Sequence, residues 1–245
     1  MPLALAVLPA AVLLYRYWAL GFTMAVWGEG DIGDLRGRVA LVTGANTGLG
    51  FETARQFAEH GARVVLGCRN LSKCQDARSH ILARSPGADV TALRVDLAEP
   101  DSVDAFAKEF LDKFDSLDYL INNAGIMGTV QKRNSRGWES QFATNHLGHF
   151  ILTGRLMPVL RRSKARIVNH SSLYASQFAI RCAQACSTHP ASRALPSVNL
   201  TDWNWQDREY CPWAAYAQSK RANLYFTSEL NRRYAHTGQD SGFRP

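Results

Sequence analysis

Tyr216 and Lys220 stand four residues apart in the stretch CPWAAYAQSKRAN, residues 211–223. On a helix, positions i and i+4 share one face. A phenol ionises with a pKa of about 10, and a neighbouring ammonium favours its charged form. Such a pair can protonate a carbonyl oxygen, or take the proton from an alcohol. The same spacing also fits a solvated helix face, so the pair acquires meaning only from the residues that precede it.

A second group with chemistry is TGANTGLG, residues 43–50. Gly44, Gly48 and Gly50 permit a tight turn and close approach of the backbone to a pyrophosphate, with Asn46, Thr47 and Leu49 between them. A helix starting near Gly48 would aim its free amides at phosphate charge. The apolar run RVALVT precedes this turn and the helical pattern FETARQFAEH follows it, which is the context a dinucleotide site requires. The next strand pattern, ARVVLG, leads into Cys68 and Arg69. An NAD site commonly has an acid there for the ribose 2′-hydroxyl, whereas an Arg suits a 2′-phosphate, so NADP(H) is the expected cofactor. The alternative is an Arg that merely solvates a strand end. Asp96 closes the third strand and either bonds the adenine or caps a turn.

The elements that must position these residues alternate along the chain. RVALVT (38–43), ARVVLG (62–67), DVTALRVD (89–96), LDYLINNAG (117–125, a strand with its exit turn) and ARIVNHSS (165–172) are short apolar, β-branched runs. Helical patterns separate them, including a long one over 138–160, and a last helix is expected over 213–234. Continuous apolar strands alternating with helices predict an α/β fold, a doubly wound parallel sheet of Rossmann type spanning residues 36–245. Residues 175–211 break the rhythm and read as an irregular loop beside the site.

Composition narrows the partners. The 245 residues are 46% hydrophobic, 20% charged and 10% aromatic, with a net charge of +7. That excludes a disordered chain and favours anionic small molecules or a membrane surface. No zinc-finger spacing, RNP motif or sustained basic tract points to nucleic acid. Five cysteines form no disulfide framework. Cys68 and Cys74 read as reduced thiols in or near the core. Cys182, Cys186, Cys211 and His189 cluster, but C-x-x-x-C-x-x-H is not a strong zinc spacing, so no metal is expected.

Residues 2–27 carry one charge, Arg16. As a helix they would span roughly 39 Å, enough to cross a bilayer. No basic segment precedes the run, which argues against a cleaved signal, and no polar face precedes Arg16, which argues against a buried soluble helix. A membrane anchor over residues 1–30 is expected. Arg16 near its middle would cost about 2.5–3.5 kcal/mol at a bilayer centre. Tyr15, Tyr17 and Trp18 beside it suit an interface, so the geometry of insertion stays open between a span and a shallow or hairpin insertion.

Taken in order, Gly-x-x-x-Gly-x-Gly, NNAG, a Ser after the fifth strand and Tyr-x-x-x-Lys resemble the short-chain dehydrogenase/reductase family over residues 36–236. The glycine spacing resembles its ordinary rather than its extended branch. VTGANTGLG, VVLGCRN, LINNAGIM, NHLGHF and PWAAYAQSK together are most similar to the retinol dehydrogenase-like reductases, which are often membrane-attached and NADP(H)-linked. The resemblance implies that Asn122–Gly125 stabilise the sheet and line the cofactor site, Asn123 and Gly125 included. It implies that Asn145 holds a proton-relay water, with an ordinary helix-interior Asn as the alternative. Ser172 would bond the substrate oxygen and Tyr216, with Ser171 its bland neighbour. Tyr216 would be the acid in reduction and the base in oxidation, and Lys220 would tune it and bond the nicotinamide ribose. His146, His149 and His170 are expected to pack or bond locally. The implied substrate is a lipophilic alcohol or its aldehyde or ketone, such as a retinoid or steroid. The implied location is a membrane, with the endoplasmic reticulum as the natural candidate, and a homodimer is admitted.

Two features depart from the family. Ser172 and Tyr216 lie 44 positions apart, longer than its norm. The chain also stops at TGQDSGFRP, where the family continues with a sixth strand, a Pro-Gly turn at the nicotinamide, a substrate-covering segment and a seventh strand. A C-terminally truncated chain is therefore expected. The alternative function is a catalytically impaired dinucleotide-binding or interaction protein.

Overall fold

The structure, a computed structural model, describes residues 28–175 and 198–234. The chain divides into two compact units, Met1–Gly33 and Asp34–Pro245. In the first, the described part is a 3₁₀ turn, Glu29–Asp31, in which the Asp31 carboxylate accepts the Gly28 N–H. The expected anchor falls almost wholly outside the described residues. Among those described, no helix is long and apolar enough to cross a membrane.

The second unit alternates strand and helix: β1 (Val39–Thr43), α1 (Gly48–Glu59), β2 (Arg63–Cys68), α2 (Leu71–Arg84), β3 (Val90–Arg94), α3 (Pro100–Lys113), β4 (Tyr119–Asn122). There follow α4 (Ser140–Phe142), a π-turn (Ala143–Leu147), α5 (Gly148–Arg162), β5 (Arg166–Asn169) and α6 (Pro212–Tyr234). The five strands pair in parallel in the order β3-β2-β1-β4-β5. This is the expected doubly wound Rossmann-like sheet.

The sequence dictates this arrangement through burial on both faces. All five residues of β1 are buried, and side chains alternate between faces along a strand. Leu41, Val65 and Leu120 face one way and pack with Phe106, Phe110, Leu152 and Leu156 from α3 and α5. Val42, Val64, Leu66 and Ile121 face the other way and pack with Ala54, Ala58, Ala77 and Ile81 from α1 and α2. Each large side chain so buried contributes about 1.5–3 kcal/mol of hydrophobic free energy, which a one-residue slip in register would forfeit. Caps set the helix starts. The Asn70 side chain accepts the Lys73 N–H at 3.1 Å to begin α2, and Pro100 occupies the first turn of α3, where its missing N–H costs nothing.

Two expectations need correction. The helix foreseen over 138–160 begins at Ser140 and is interrupted by the π-turn. There the Asn145 side chain bonds both the N–H and the C=O of Ile126, at 2.8 and 2.9 Å. Gly148 lies so close to Leu97 that a Cβ would stand 2.2 Å from its carbonyl oxygen. Within 117–125 the strand ends at Asn122 and the exit turn follows as expected, its next two amides turning toward Thr43. Finally, Cys68 and Cys74 are joined as a disulfide rather than held as separate thiols. Only two residues separate β2 from α2, which brings their Cα atoms to 5.9 Å. Of the expected irregular loop, residues 198–211 contain no helix or strand. Cys182, Cys186 and His189 lie outside the described residues.

Candidate active site

The parallel strands all point their C-terminal ends the same way, and the site forms there. At the end of β1, Gly44 has φ +66°, and a Cβ on it would lie 2.9 Å from Ala124 Cα. At Gly50 a Cβ would lie 2.3 Å from Asn123 Nδ2 and 2.6 Å from Gly44 O. The turn after β1 and the exit of β4 therefore touch with no room for a Cβ at Gly44 or Gly50, as a phosphate cradle needs. Asn123 Nδ2 donates to Thr43 O at 2.8 Å and locks the two together.

Thr43 joins a third segment. Its buried hydroxyl accepts the N–H groups of Asn123 and Ala124 at 3.0 and 3.1 Å. It lies 2.9 Å from His149 Nε2. His149 Nδ1 faces the Asn145 carbonyl at 3.1 Å. That carbonyl can only accept, so Nδ1 carries the proton and Nε2 accepts from Thr43. Burial pushes the His149 pKa down to about 3, which keeps the ring neutral in this role. His146 is held below its ordinary pKa by burial and bonds the Asn223 side chain at 3.0 Å. These histidines do bond locally.

Asn145 and Lys220 meet at Gly125, and Tyr216 stands beside Lys220 at the cleft. A Cβ at Gly125 would lie 3.2 Å from Asn145 Oδ1 and 3.4 Å from Lys220 Nζ. Asn145 Nδ2 also donates to Ser219 Oγ at 2.9 Å, and its backbone carbonyl accepts from Asn223 at 3.1 Å. The π-turn is thus stitched to α6 beside Tyr216 and Lys220. Tyr216 and Lys220 are both buried, and Nζ stands 5.8 Å from the phenol ring centroid. The ammonium donates to the His170 carbonyl at 3.1 Å, and no carboxylate pairs with it among the described residues. Burial lowers its pKa to about 8, so it remains largely charged at neutral pH. His170 is held below its ordinary pKa by burial and then by the Lys220 charge.

A cleft of about 520 Å³ runs from the glycine turn to this cluster. Of the residues singled out in the sequence, it is lined by Gly44, Asn46, Thr47, Leu49, Gly50, Arg69, Asp96, Asn123, Gly125, Tyr216 and Lys220. Gly48 sits at the start of α1 and Asn145 behind Gly125, both off the lining. At the fifth strand the lining residues are His170 and Ser171 rather than Ser172. Ser171 Oγ is committed to the Lys220 carbonyl at 2.9 Å, whereas Ser172 begins the turn Leu173–Ala175, its own carbonyl accepting the Ala175 N–H. Asp96 does cap a turn, its Oδ1 accepting the Ala98 N–H at 3.0 Å. Val95, Leu97, Ile126, Met127 and Thr144 line the cleft without having been foreseen. Apolar neighbours of a motif carry no chemical signal of their own, and only the fold brings Thr144 to the cleft.

The family model for short chain dehydrogenase matches residues 38–192. Retinol dehydrogenase 13 of Homo sapiens is 39% identical over 82% of this chain and 56% of its own length. Retinol dehydrogenase 12 of Mus musculus is 40% identical over 84% of this chain and 59% of its own. The chain thus spans somewhat more than half the length of these curated relatives. Among solved structures, an uncharacterised protein from Mycobacterium paratuberculosis superposes with a TM-score of 0.69 at 39% identity, over 87% of this chain and 68% of that one. A short chain dehydrogenase from Shigella flexneri, complexed with NADP, superposes with a TM-score of 0.61 at 28% identity, over 83% and 74%. This chain belongs to the short-chain dehydrogenase family.

Proposed function

We propose that the chain carries the nucleotide-binding and acid/base parts of an NADP(H)-dependent oxidoreductase that interconverts a lipophilic alcohol and its aldehyde or ketone. The observation that carries this reading is that Tyr216 and Lys220 line one end of a cleft, with Asn145 behind Gly125, while the glycine cradle lines the other end. The cradle suits a dinucleotide, because the space a Cβ would fill at Gly44 and Gly50 is already taken by backbone and by Asn123. At the end of β2, exposed Arg69 lines the cleft, and no ion pair engages it among the described residues. That suits a 2′-phosphate, and a neighbour in the same fold was solved with NADP.

Bound NADPH would supply the hydride; the chain supplies position and protons. Asn46, Thr47 and Leu49 would hold the pyrophosphate, and Lys220 the nicotinamide ribose. The Tyr216 hydroxyl gives its proton to the carbonyl oxygen in reduction and takes it back in oxidation. The Lys220 charge steadies the negative charge that develops on the phenol oxygen. Ser172, next to the lining residue Ser171, would bond the substrate oxygen once turned toward the cleft, and Asn145, behind Gly125, would order the water through which the proton is replaced. A lipophilic substrate, retinoid-like by kinship, fits the retinol dehydrogenase relatives. Attachment to the endoplasmic reticulum membrane rests on residues 2–27 with their single charge, and fractionation of cells expressing the chain with and without residues 1–30 tests it.

The decisive assay follows NADPH oxidation with a panel of lipophilic aldehydes. Wild type should turn over and Tyr216→Phe should lose about 10³-fold in kcat while still binding NADPH. Equal silence of both, with NADPH bound, would make the chain a dinucleotide-binding protein instead.

A further inference from the structure

A buried polar cluster lies between the cofactor cleft and the catalytic helix, and the proposed chemistry makes no use of it. Glu139 and Gln141 are each 0% exposed. Glu139 caps α4, accepting the N–H groups of Gln141 and Phe142 at 2.8 and 2.7 Å. The Tyr210 hydroxyl donates to Glu139 Oε1 at 2.9 Å and accepts from Gln141 Nε2 at 2.8 Å. Burial, with the Glu139 charge beside it, keeps that phenol protonated.

Gln141 makes two further bonds with the same carboxamide. Its Oε1 accepts the Gly128 N–H at 2.9 Å, and its Nε2 donates to the Pro212 carbonyl at 2.9 Å. Gly128 follows Met127, which lines the cleft, and Pro212 opens α6 one turn before Tyr216. Gly128 also packs against Trp213, whose ring would stand 3.3 Å from a Cβ there. One side chain thus joins the wall of the cleft to the first turn of the helix that carries the acid/base pair. A carboxamide suits the task because it donates and accepts at once.

We propose that Gln141, oriented by Glu139 and Tyr210, is a positioning residue that sets the first turn of α6, and with it the Tyr216 phenol, against the carbonyl-binding side of the cleft. This rests on reading Tyr216 as the acid/base. An apolar residue at 141 would take away the acceptor of the part-buried Gly128 N–H and the side-chain donor to the Pro212 carbonyl, a loss that lets loop and helix part. The glycine cradle shares none of these bonds, since Thr43 and Asn123 hold it. Displacement of Tyr216 should therefore slow chemistry and leave cofactor binding alone.

The test uses the full chain. For Gln141→Leu, kcat with an aldehyde should fall by about 100-fold, the loss a misplacement of about 1 Å brings. NADPH affinity should stay within about twofold, as for independent sites. Amide hydrogen exchange should quicken over residues 212–220 and not over 48–59. Tyr210→Phe should move both readouts the same way by less, and it decides the matter if Gln141→Leu does not fold. Wild-type kcat and wild-type exchange over 212–220 would overturn the proposal. So would a loss of NADPH affinity equal to the loss in kcat, which would mark general loosening. A silent wild-type enzyme would sink the acid/base reading instead, and the exchange comparison alone would then judge the positioning.

Discussion

At the cradle end of the cleft, position is fixed by close packing around glycines, with Thr43 and Asn123 bonds behind it: Gly50 has no room for one methyl group, and Gly44 rests on Ala124. At the catalytic end, position is fixed by side-chain hydrogen bonds. Asn145 reaches Ile126 and Ser219, Asn223 reaches Asn145 and His170, and Lys220 reaches His170. The first end leaves no space at Gly44 and Gly50; the second rests on its donors and acceptors. A binding surface for an invariant phosphate can be rigid backbone, whereas an acid/base group needs its neighbours' polarity as well as its place.

Substitutions can break that contrast from either side. Gly50→Ala should have the largest effect, because the new methyl group meets both the Asn123 carboxamide at 2.3 Å and the Gly44 carbonyl at 2.6 Å, and backbone cannot swing aside. NADPH affinity should fall by more than about 100-fold, with a stability loss of about 1–3 kcal/mol as for an overpacked core; a titration followed by thermal melting reads both. Arg69→Ala comes next and sharpens the contrast, since Arg69 is the one side-chain contact proposed at the rigid end. NADPH affinity should fall by about 30-fold, the worth of a charge-assisted bond, and NADH affinity should not change. Equal losses for the two nucleotides would refute the 2′-phosphate assignment.

The smallest effect is a pH dependence at the catalytic end. Burial lowers the Lys220 pKa from 10.5 to about 8. Between those values the unfolded chain keeps a proton that the folded chain has released, so stability rises with pH across that window. Below the window the burial cost is fully present, and above it the cost is gone. Since solvent still reaches part of the side chain, the gain should be on the order of 1 kcal/mol. Lys220→Met should lack it, which denaturant midpoints at the two ends of the window will reveal.

How much of this was legible in the sequence differs between the same two ends. The strands, the glycine cradle, Arg69 and Asp96 follow from local patterns, because a parallel strand buried on both faces must be apolar throughout and a phosphate turn must be glycine-rich. At the catalytic end, Tyr216 and Lys220 are legible as a pair on one helix. The π-turn at Asn145 is not, because it answers bonds to Ile126, 19 residues away. The disulfide of Cys68 and Cys74 was misread, since its cause is the short passage from β2 to α2 rather than any cysteine framework. Glu139 and Gln141 gave no signal at all. They read as polar residues at a helix start, and only the return of Tyr210 and Pro212 encloses them.

Thr43 has a consequence for variation at its own position. Its hydroxyl must give one proton to a neutral imidazole, accept two backbone amides, and fit a site with no exposed surface. Alanine, valine and cysteine each fail one of these demands, so the permitted alphabet at position 43 has two letters, Thr and Ser. Any lineage that departs from them should carry a matching exchange at His149, and a library randomised at both positions and selected for retention on an immobilised nucleotide should recover such pairs together.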